Sequence, residues 1–348
     1  MHIAVIIPFR GDPAILQWTL AGFQDQQLLP GATLDVRICG DGVPVPPLPA
    51  STSDDGRIRF TAITSPRVGV AQAKNLLLQN NPADIVIFAN SDTRPIPTFV
   101  QAHASRLLSL PPNHMVLGSA PYEPSPSPTV FDALKEDSPM IFFYNQLQPH
   151  SLCGFRQCWT LNLSARYEDL QRINFFNPRF RPYGFEDLDL GFRIMGPDTR
   201  GIYFDPAAQV IHRHPMTFDD YLNREELLGI MSPILYDANR PLFNKLRGTE
   251  DIDRLAHQFR NVMELERSTE GWIYVRLQDW KDLPATVLGE GPARQRLLMT
   301  LYQMHIPLKR FAFRLGFLRG LELRDDARWQ ERVSHGLWRT CISGSPVA

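Results

Sequence analysis

The chain begins Met1-His2-Ile3-Ala4-Val5-Ile6-Ile7-Pro8-Phe9-Arg10. From Ile3 to Ile7 every residue is apolar and most are β-branched. A strand wet on one face alternates apolar with polar residues; one apolar on both faces must be covered on both, as a parallel strand inside an α/β sheet is. The next signals agree. Asp12-Pro13 sets a capping acid before a proline suited to the first helical turn. Leu34 to Cys39 and Arg57 to Thr64 read as strands, Val68 to Gln79 as a helix, and Asp84 to Phe88 as another buried strand. A helix after Pro97 and a strand over Met115 to Gly118 continue the alternation. The expected fold class is α/β, a mostly parallel sheet flanked by helices.

Beyond this core the pattern changes. From about residue 225 helical stretches dominate, over Arg224 to Met231, Glu250 to Glu266 and Ala293 to Tyr302. Two domains are expected, 1–224 and a mostly helical 225–348. Thirty prolines punctuate the chain. The clusters Pro44, Pro46, Pro47, Pro49 and Pro121, Pro124, Pro126, Pro128 read as surface loops, because proline fixes φ and lacks a donor.

Composition narrows the function. The 348 residues are 43% hydrophobic and 21% charged, enough for a sizeable core. A formal charge of -1 disfavours a general nucleic-acid binder. No apolar run approaches the roughly 18–20 residues of a membrane span. The N-terminus has no basic lead and its apolar run stops at Pro8, so no signal peptide is expected. Cys39, Cys153, Cys158 and Cys341 show no metal-ligand spacing and read as reduced thiols of a cytoplasmic protein.

In an open α/β sheet, ligands bind beyond the carboxyl ends of the strands. There the chain places Pro8-Phe9-Arg10, Gly40-Asp41-Gly42 and Asn90-Ser91-Asp92, polar or conformationally special groups after apolar runs. Neither GxGxxG nor GxxxxGK[ST] occurs, which disfavours the usual dinucleotide and P-loop modes.

Five segments in order carry a resemblance: Val5-Ile6-Ile7-Pro8-Phe9-Arg10, Cys39-Gly40-Asp41-Gly42, Gly69-Val70-Ala71-Gln72-Ala73-Lys74-Asn75, Phe88-Ala89-Asn90-Ser91-Asp92-Thr93 and Tyr183-Gly184-Phe185-Glu186-Asp187-Leu188-Asp189-Leu190-Gly191. Together they resemble a family 2 glycosyltransferase of the GT-A fold. The later ones resemble the galactosyltransferase-type second half of bacterial polysaccharide-synthesising enzymes.

The resemblance implies an inverting, metal-dependent hexosyltransferase that moves a sugar from a nucleotide-sugar, a UDP-sugar first, to a glycan or other hydroxyl acceptor. Asn90-Ser91-Asp92 stands where the family has Asp-x-Asp, with Asn90 and Ser91 by the nucleotide and Asp92 on Mn²⁺ or Mg²⁺. His212, ahead of His214, would complete the metal shell. Pro8, Phe9 and Arg10 would line the nucleotide pocket, Asp41 would meet the base, and Lys74 would lie near the diphosphate. Asp187 would be the general base, which an inverting transfer needs to take the acceptor proton. Glu186, Asn162 and Trp159 would hold the acceptor, Trp159 as a stacking platform. Competing structural readings stay open: Asp92 as a turn cap, Glu186-Asp187 as acids favoured at a helix start, Trp159 as core, Lys74 as a solvated helix face.

Lys309 to Arg319 is basic and aromatic, so 307–321 could touch the inner face of a membrane peripherally. At helical spacing its charged and apolar faces do not separate cleanly, and ordinary packing competes. Two further function classes stand against the transferase. A silent nucleotide-sugar or glycan-binding subunit would explain Asn90. A sugar nucleotidyltransferase would want a glycine-rich loop after the first strand, which Pro8-Phe9-Arg10-Gly11-Asp12-Pro13 does not supply.

Overall fold

The computed structural model describes residues 1–50, 56–197, 199–324 and 336–342. The chain divides into two compact units. The first comprises Met1–Glu123, Leu147–Pro182 and Glu186–His214, the second Pro124–Gln146, Tyr183–Phe185 and Pro215–Ala348.

The first unit is built on a nine-stranded mixed sheet. Its strands are β1 (His2–Phe9), β2 (Thr33–Asp41), β3 (Ile58–Ser65), β4 (Ile85–Ala89), β5 (Thr93–Pro95), β6 (Met115–Ser119), β7 (Leu152–Cys153), β8 (Asn162–Arg166) and β9 (Ile202–His212). Its helices are α1 (Pro13–Ala21), α2 (Val70–Leu78), α3 (Phe99–Leu108), α5 (Tyr167–Arg172) and α6 (Glu186–Met195); α4 (Val130–Asp137) belongs to the second unit. Asp12 caps α1 through its carboxylate on the Ala14 N–H at 2.8 Å, with Pro13 in the first turn.

The strand order is β3-β2-β1-β4-β8-β6-β9-β5, with β7 added on β9. Strands β3, β2, β1 and β4 are parallel, and Ile3 to Ile7 of β1 are completely buried. Strand β8 runs antiparallel to both β4 and β6, while β6 and β9 are parallel. Directions therefore alternate back, and β1, β2, β4, β6 and β9 all end at one edge. The amino end of β8 lies at that same edge.

A buried amide ties the reversed strand in place. Asn162 on β8 donates to the carbonyls of Ser119 on β6 and Ala208 on β9, at 2.8 and 2.9 Å. Its Oδ1 accepts from His103 Nε2 at 2.7 Å, and His103 Nδ1 meets the Ser164 hydroxyl at 2.9 Å. Burial pushes the His103 pKa down to about 4, so the ring is neutral, one nitrogen donating and the other accepting.

The second unit is helical: α4, α7 (Phe218–Ala238), α8 (Arg240–Arg247), α9 (Ile252–Lys281), α10 (Gly291–Leu323) and α11 (Leu337–Ile342). Thr217 with Asp220, and Thr129 with Asp132, form capping boxes at the starts of α7 and α4. Helices α7 and α10 meet backbone to backbone. A Cβ on Gly316 would stand 1.9 Å from the Glu226 carbonyl oxygen, so only glycine allows this crossing. Buried Glu226 pairs with Arg319 at 2.5 Å beside it.

Helix α10 runs through Pro307, well past the stretch its periodicity marks. An internal proline costs roughly 3 kcal/mol, and burial of Leu308, Phe311, Ala312, Gly316 and Phe317 along the same helix offsets that cost. Residues 307–321, expected as a peripheral membrane contact, lie on this helix; Arg310 is exposed there, while Leu308, Phe311, Ala312 and Phe317 are buried. Among the described residues, no helix is long and apolar enough to cross a membrane.

Candidate functional site

Asn90-Ser91-Asp92 makes the turn between β4 and β5. The Thr93 N–H and hydroxyl both donate to the Asn90 carbonyl, at 3.3 and 2.9 Å, and the Thr19 hydroxyl donates to the Ser91 carbonyl at 2.9 Å. The turn is thus held from both sides. Strand β5 pairs antiparallel with β9, setting Thr93 opposite His212, and the Arg213 N–H extends the pairing to the Asp92 carbonyl at 2.8 Å.

That register brings three ligating side chains together. Asp92 Oδ2 lies 2.8 Å from His214 Nδ1 and 3.5 Å from His212 Nε2. One ligand atom from each residue falls within 4.8 Å of the others. Burial works against ionisation of Asp92, yet hydrogen bonds from His212 and His214 and their charge hold its carboxyl well below the usual range. The rings form a stack, Tyr122 on His212 at 5.1 Å between centroids and His212 on His214 at 5.2 Å.

This donor set fits a divalent cation. Asp92 Oδ1 is buried with no hydrogen-bond partner among the described residues, an arrangement that is costly for a carboxylate unless a cation satisfies it. One carboxylate with two imidazoles suits Mn²⁺ better than Mg²⁺, which prefers an all-oxygen shell. His214, ranked second in the sequence, lies nearer to Asp92 than His212 does.

A second cluster forms at the start of α6. Gly184 and Phe185 have φ of 138° and 68°, a sharp turn that releases the chain into the helix at Glu186. Asp187, in its first turn, accepts the Thr160 N–H on Oδ2 at 3.0 Å and the Thr160 hydroxyl on Oδ1 at 2.7 Å. Lys74 Nζ stands 3.2 Å from the same Oδ1 and also donates to the Thr160 hydroxyl. The Lys74 side chain is 2% exposed and lies over the Phe176 ring, whereas that of Asp187 is 23% exposed. Ala89 pairs with Asn162, so Thr160 lies at the strand edge that carries Asn90 to Asp92.

Asp41 is buried and accepts the N–H groups of Val68 at 2.6 Å and Gly69 at 3.1 Å, capping the approach to α2. A Cβ at Gly69 would lie 1.9 Å from the Arg181 carbonyl oxygen, and its φ is 88°, which makes glycine obligatory there. Arg10 is exposed, Pro8 is partly buried and Phe9 is buried. Trp159 and Glu186 are buried. The amide of Asn162, expected at the acceptor, is taken up by the strand lock described above. Lys74, expected at the diphosphate, points instead at Thr160 and Asp187. Asp189 is fully buried and pairs with Arg193 at 2.7 Å.

Thr160 opens the segment Thr160-Leu161-Asn162-Leu163-Ser164, which resembles the family's acceptor-side segment, but received no chemical role of its own from the sequence. Tyr122 was unmarked. The alternation His212-Arg213-His214 puts both rings on one side, since alternate residues of an extended chain share a face.

No protein-family model matches this sequence, and no curated protein matches it. Among solved structures, the chain is similar to S. aureus TarS 1-349 in complex with UDP, with 11% identity over 94% of this chain and 93% of that one, at a TM-score of 0.45. It is also similar to GalNAc-T7 with UDP, GalNAc and Mn²⁺, with 10% identity over 65% of this chain and a TM-score of 0.42. The match spans 47% of the GalNAc-T7 chain. At such identities and scores, the weight of any functional reading falls on the chain's own residues.

Proposed function

We propose that the chain is an inverting, metal-dependent glycosyltransferase of the GT-A type, kin to family 2 enzymes of polysaccharide biosynthesis, with 1–224 as its catalytic domain and 225–348 as a helical region. The observation that carries the proposal is Asp92, His212 and His214 gathered at the carboxyl-terminal edge of the sheet, with one carboxylate oxygen of Asp92 left for a cation.

A bound Mn²⁺ or Mg²⁺ would supply Lewis-acid stabilisation of the departing nucleoside diphosphate. Asp92, His212 and His214 would hold it. Asn90 and Ser91, in the same turn, face the nucleotide. Asp187 Oδ2 accepts one N–H and retains a lone pair, and the side chain reaches solvent. It takes the proton of an acceptor hydroxyl as that oxygen forms its bond to the anomeric carbon and the bond to the diphosphate breaks. Attack from the face opposite the leaving group inverts the anomeric centre. Lys74 and Thr160 hold the carboxylate in one orientation while it works.

One observation favours the alternative of a silent nucleotide-sugar or glycan-binding subunit: Asp187 already accepts from Thr160 twice and from Lys74, as a purely structural acid would. Product analysis separates the two. Incubation with UDP-, GDP- and dTDP-sugars, Mn²⁺ and a panel of hydroxyl acceptors is expected to release nucleoside diphosphate and give product of inverted configuration. Binding of the donor without turnover would establish the subunit; release of pyrophosphate would establish a nucleotidyltransferase. Full activity in chelator would remove the metal from the reading.

A further inference from the structure

The residue between the two histidines has its own anchorage. Arg213 places Nε and a terminal nitrogen on the two carboxylate oxygens of Glu123, each at 2.5 Å, a bidentate fork. Its guanidinium also lies over the Trp18 ring, 4.1 Å from the centroid. An exposed ion pair ordinarily contributes little, about 0–1 kcal/mol. A planar fork with an aromatic face beneath it is the exception in geometry, since the guanidinium is fixed in both plane and direction.

The backbone around it is fixed at the same points. The Arg213 N–H donates to the Asp92 carbonyl at 2.8 Å, the Glu123 N–H donates to the His212 carbonyl at 2.9 Å, and the His212 N–H donates to the Pro121 carbonyl at 2.9 Å. Residues 121–123 therefore run beside 212–213. Tyr122 and Glu123, being consecutive, point to opposite faces, as do His212 and Arg213. Tyr122 stacks on His212 on one face, and Glu123 grips Arg213 on the other.

Resting on the metal reading above, we propose that Arg213, clamped by Glu123 and Trp18, is a positioning residue that sets the spacing of His212 and His214 for the cation. It touches neither the cation nor the sugar donor. Its action is mechanical: with the side chain pinned on one face, the two imidazoles are presented together on the other, beside Asp92. Past His212 the segment leaves β9, so His214 has no strand pairing of its own; the residue before it is held by its N–H on the Asp92 carbonyl, and its side chain by the clamp. Partners that orient metal ligands from outside the first layer are typically worth about 10–100-fold in metal affinity.

The test is metal binding by the full chain, read without turnover. Mn²⁺ is titrated and free ion followed by its electron paramagnetic resonance signal; Co²⁺ is titrated and followed by its visible ligand-field spectrum. Arg213→Ala and Glu123→Gln are each expected to weaken Mn²⁺ binding about tenfold or more and to alter the Co²⁺ spectrum. The double variant should be scarcely worse than either single one, since both remove the same fork. Arg213→Lys keeps charge but not the fork and should fall between wild type and Arg213→Ala. A melting curve on each variant checks that the fold persists. Wild-type affinity and spectrum in Arg213→Ala, with His212→Ala and His214→Ala both impaired, would overturn the clamp and leave the metal site standing. Wild-type chain that binds neither ion, or binds them equally well without His212 and His214, would overturn the metal reading and the clamp with it.

Discussion

Asp92 and Asp187 are both carboxylates placed at the same edge of one sheet, yet their partners differ in kind. Asp92 faces two imidazoles and keeps an oxygen that nothing in the described chain satisfies. Asp187 faces a lysine ammonium and a threonine that donates twice, so its charge is met from within. The first arrangement gathers ligand atoms of one carboxylate and two imidazoles within 4.8 Å of one another, a set that fits a cation. The second neutralises itself, keeps the acid in one orientation, and leaves part of it open to solvent. On the proposed reading, one sheet edge supplies both a metal seat and a base, the cation beside the base being the chain's own Lys74.

Removing Asp92 should produce the largest effect. Asp92→Ala is expected to abolish metal-stimulated transfer, a fall on the order of 10³-fold or more if the ion contributes several kcal/mol to leaving-group stabilisation. Mn²⁺ and nucleotide binding should fail together, as read by calorimetry. Activity that survives Asp92→Ala at wild-type metal concentrations would erase the distinction between the two carboxylates.

Asp187→Asn comes next and should behave differently. The amide keeps the shape but takes no proton, so kcat should fall about 10²–10⁴-fold while donor KM stays level, the pattern of an interaction made only in the transition state. Near-normal kcat, or a product that retains the donor's configuration, would leave Asp187 with a structural role beside Lys74 and Thr160.

How far this contrast could be read from sequence depends on the residue. Strands β1 to β4 and helix α1 were legible because an unbroken apolar run or a capped proline is a local signal. Strand β8 was not: Asn162 and Ser164 are buried and look polar, and it is the contacts to His103 and to the Ser119 and Ala208 carbonyls that make that burial tolerable. Strand β5 has three residues and β7 two, too few for any period. Strand β9 contains Pro206, and its register on β6 shifts between Gly118 and Ser119, which blurs its alternation. At the site, the residue types and the His-x-His alternation were visible. The pairing of Lys74 with Asp187, 113 positions apart, was not, because no local pattern encodes which charge a buried ammonium will find.

The buried imidazole of His103 offers a smaller, control effect. Burial lowers its pKa to about 4, against 6.5 for an ordinary histidine. Above pH 6.5 the ring is neutral in both folded and unfolded chains and its contribution is intact. As pH falls from 6.5 toward 4 the unfolded chain takes up a proton that the folded one refuses, and stability drains away by on the order of 3 kcal/mol in total. His305 in the second unit, also lowered by burial to about 4, acts in the same direction. Urea melts between these pH values should show the loss, and His103→Gln should flatten part of it. Because His103 serves the strand lock and not the metal cluster, Mn²⁺ should leave its contribution unchanged. An acid limb that His103→Gln does not alter would mean that the ring is charged in the folded chain.

The smallest effect tests the residue that breaks the acidic pattern. Asn90 lies two positions before Asp92 in the same turn, and Asn90→Asp adds a carboxylate to a donor set of one carboxylate and two imidazoles. A second anion attracts the cation, and its repulsion of Asp92 in the empty protein also favours the loaded state. What opposes them is the proton that a close carboxylate pair takes up in the empty protein, which the cation must displace. The net gain in affinity should be about tenfold or less. The gain should be larger for Mg²⁺ than for Mn²⁺, since the added ligand is a hard oxygen and the imidazoles already serve Mn²⁺. Parallel Mn²⁺ and Mg²⁺ titrations of wild type and Asn90→Asp decide it. If Asn90→Asp weakens both ions, Asn90 does not border the cation, and its amide serves the nucleotide or the turn alone.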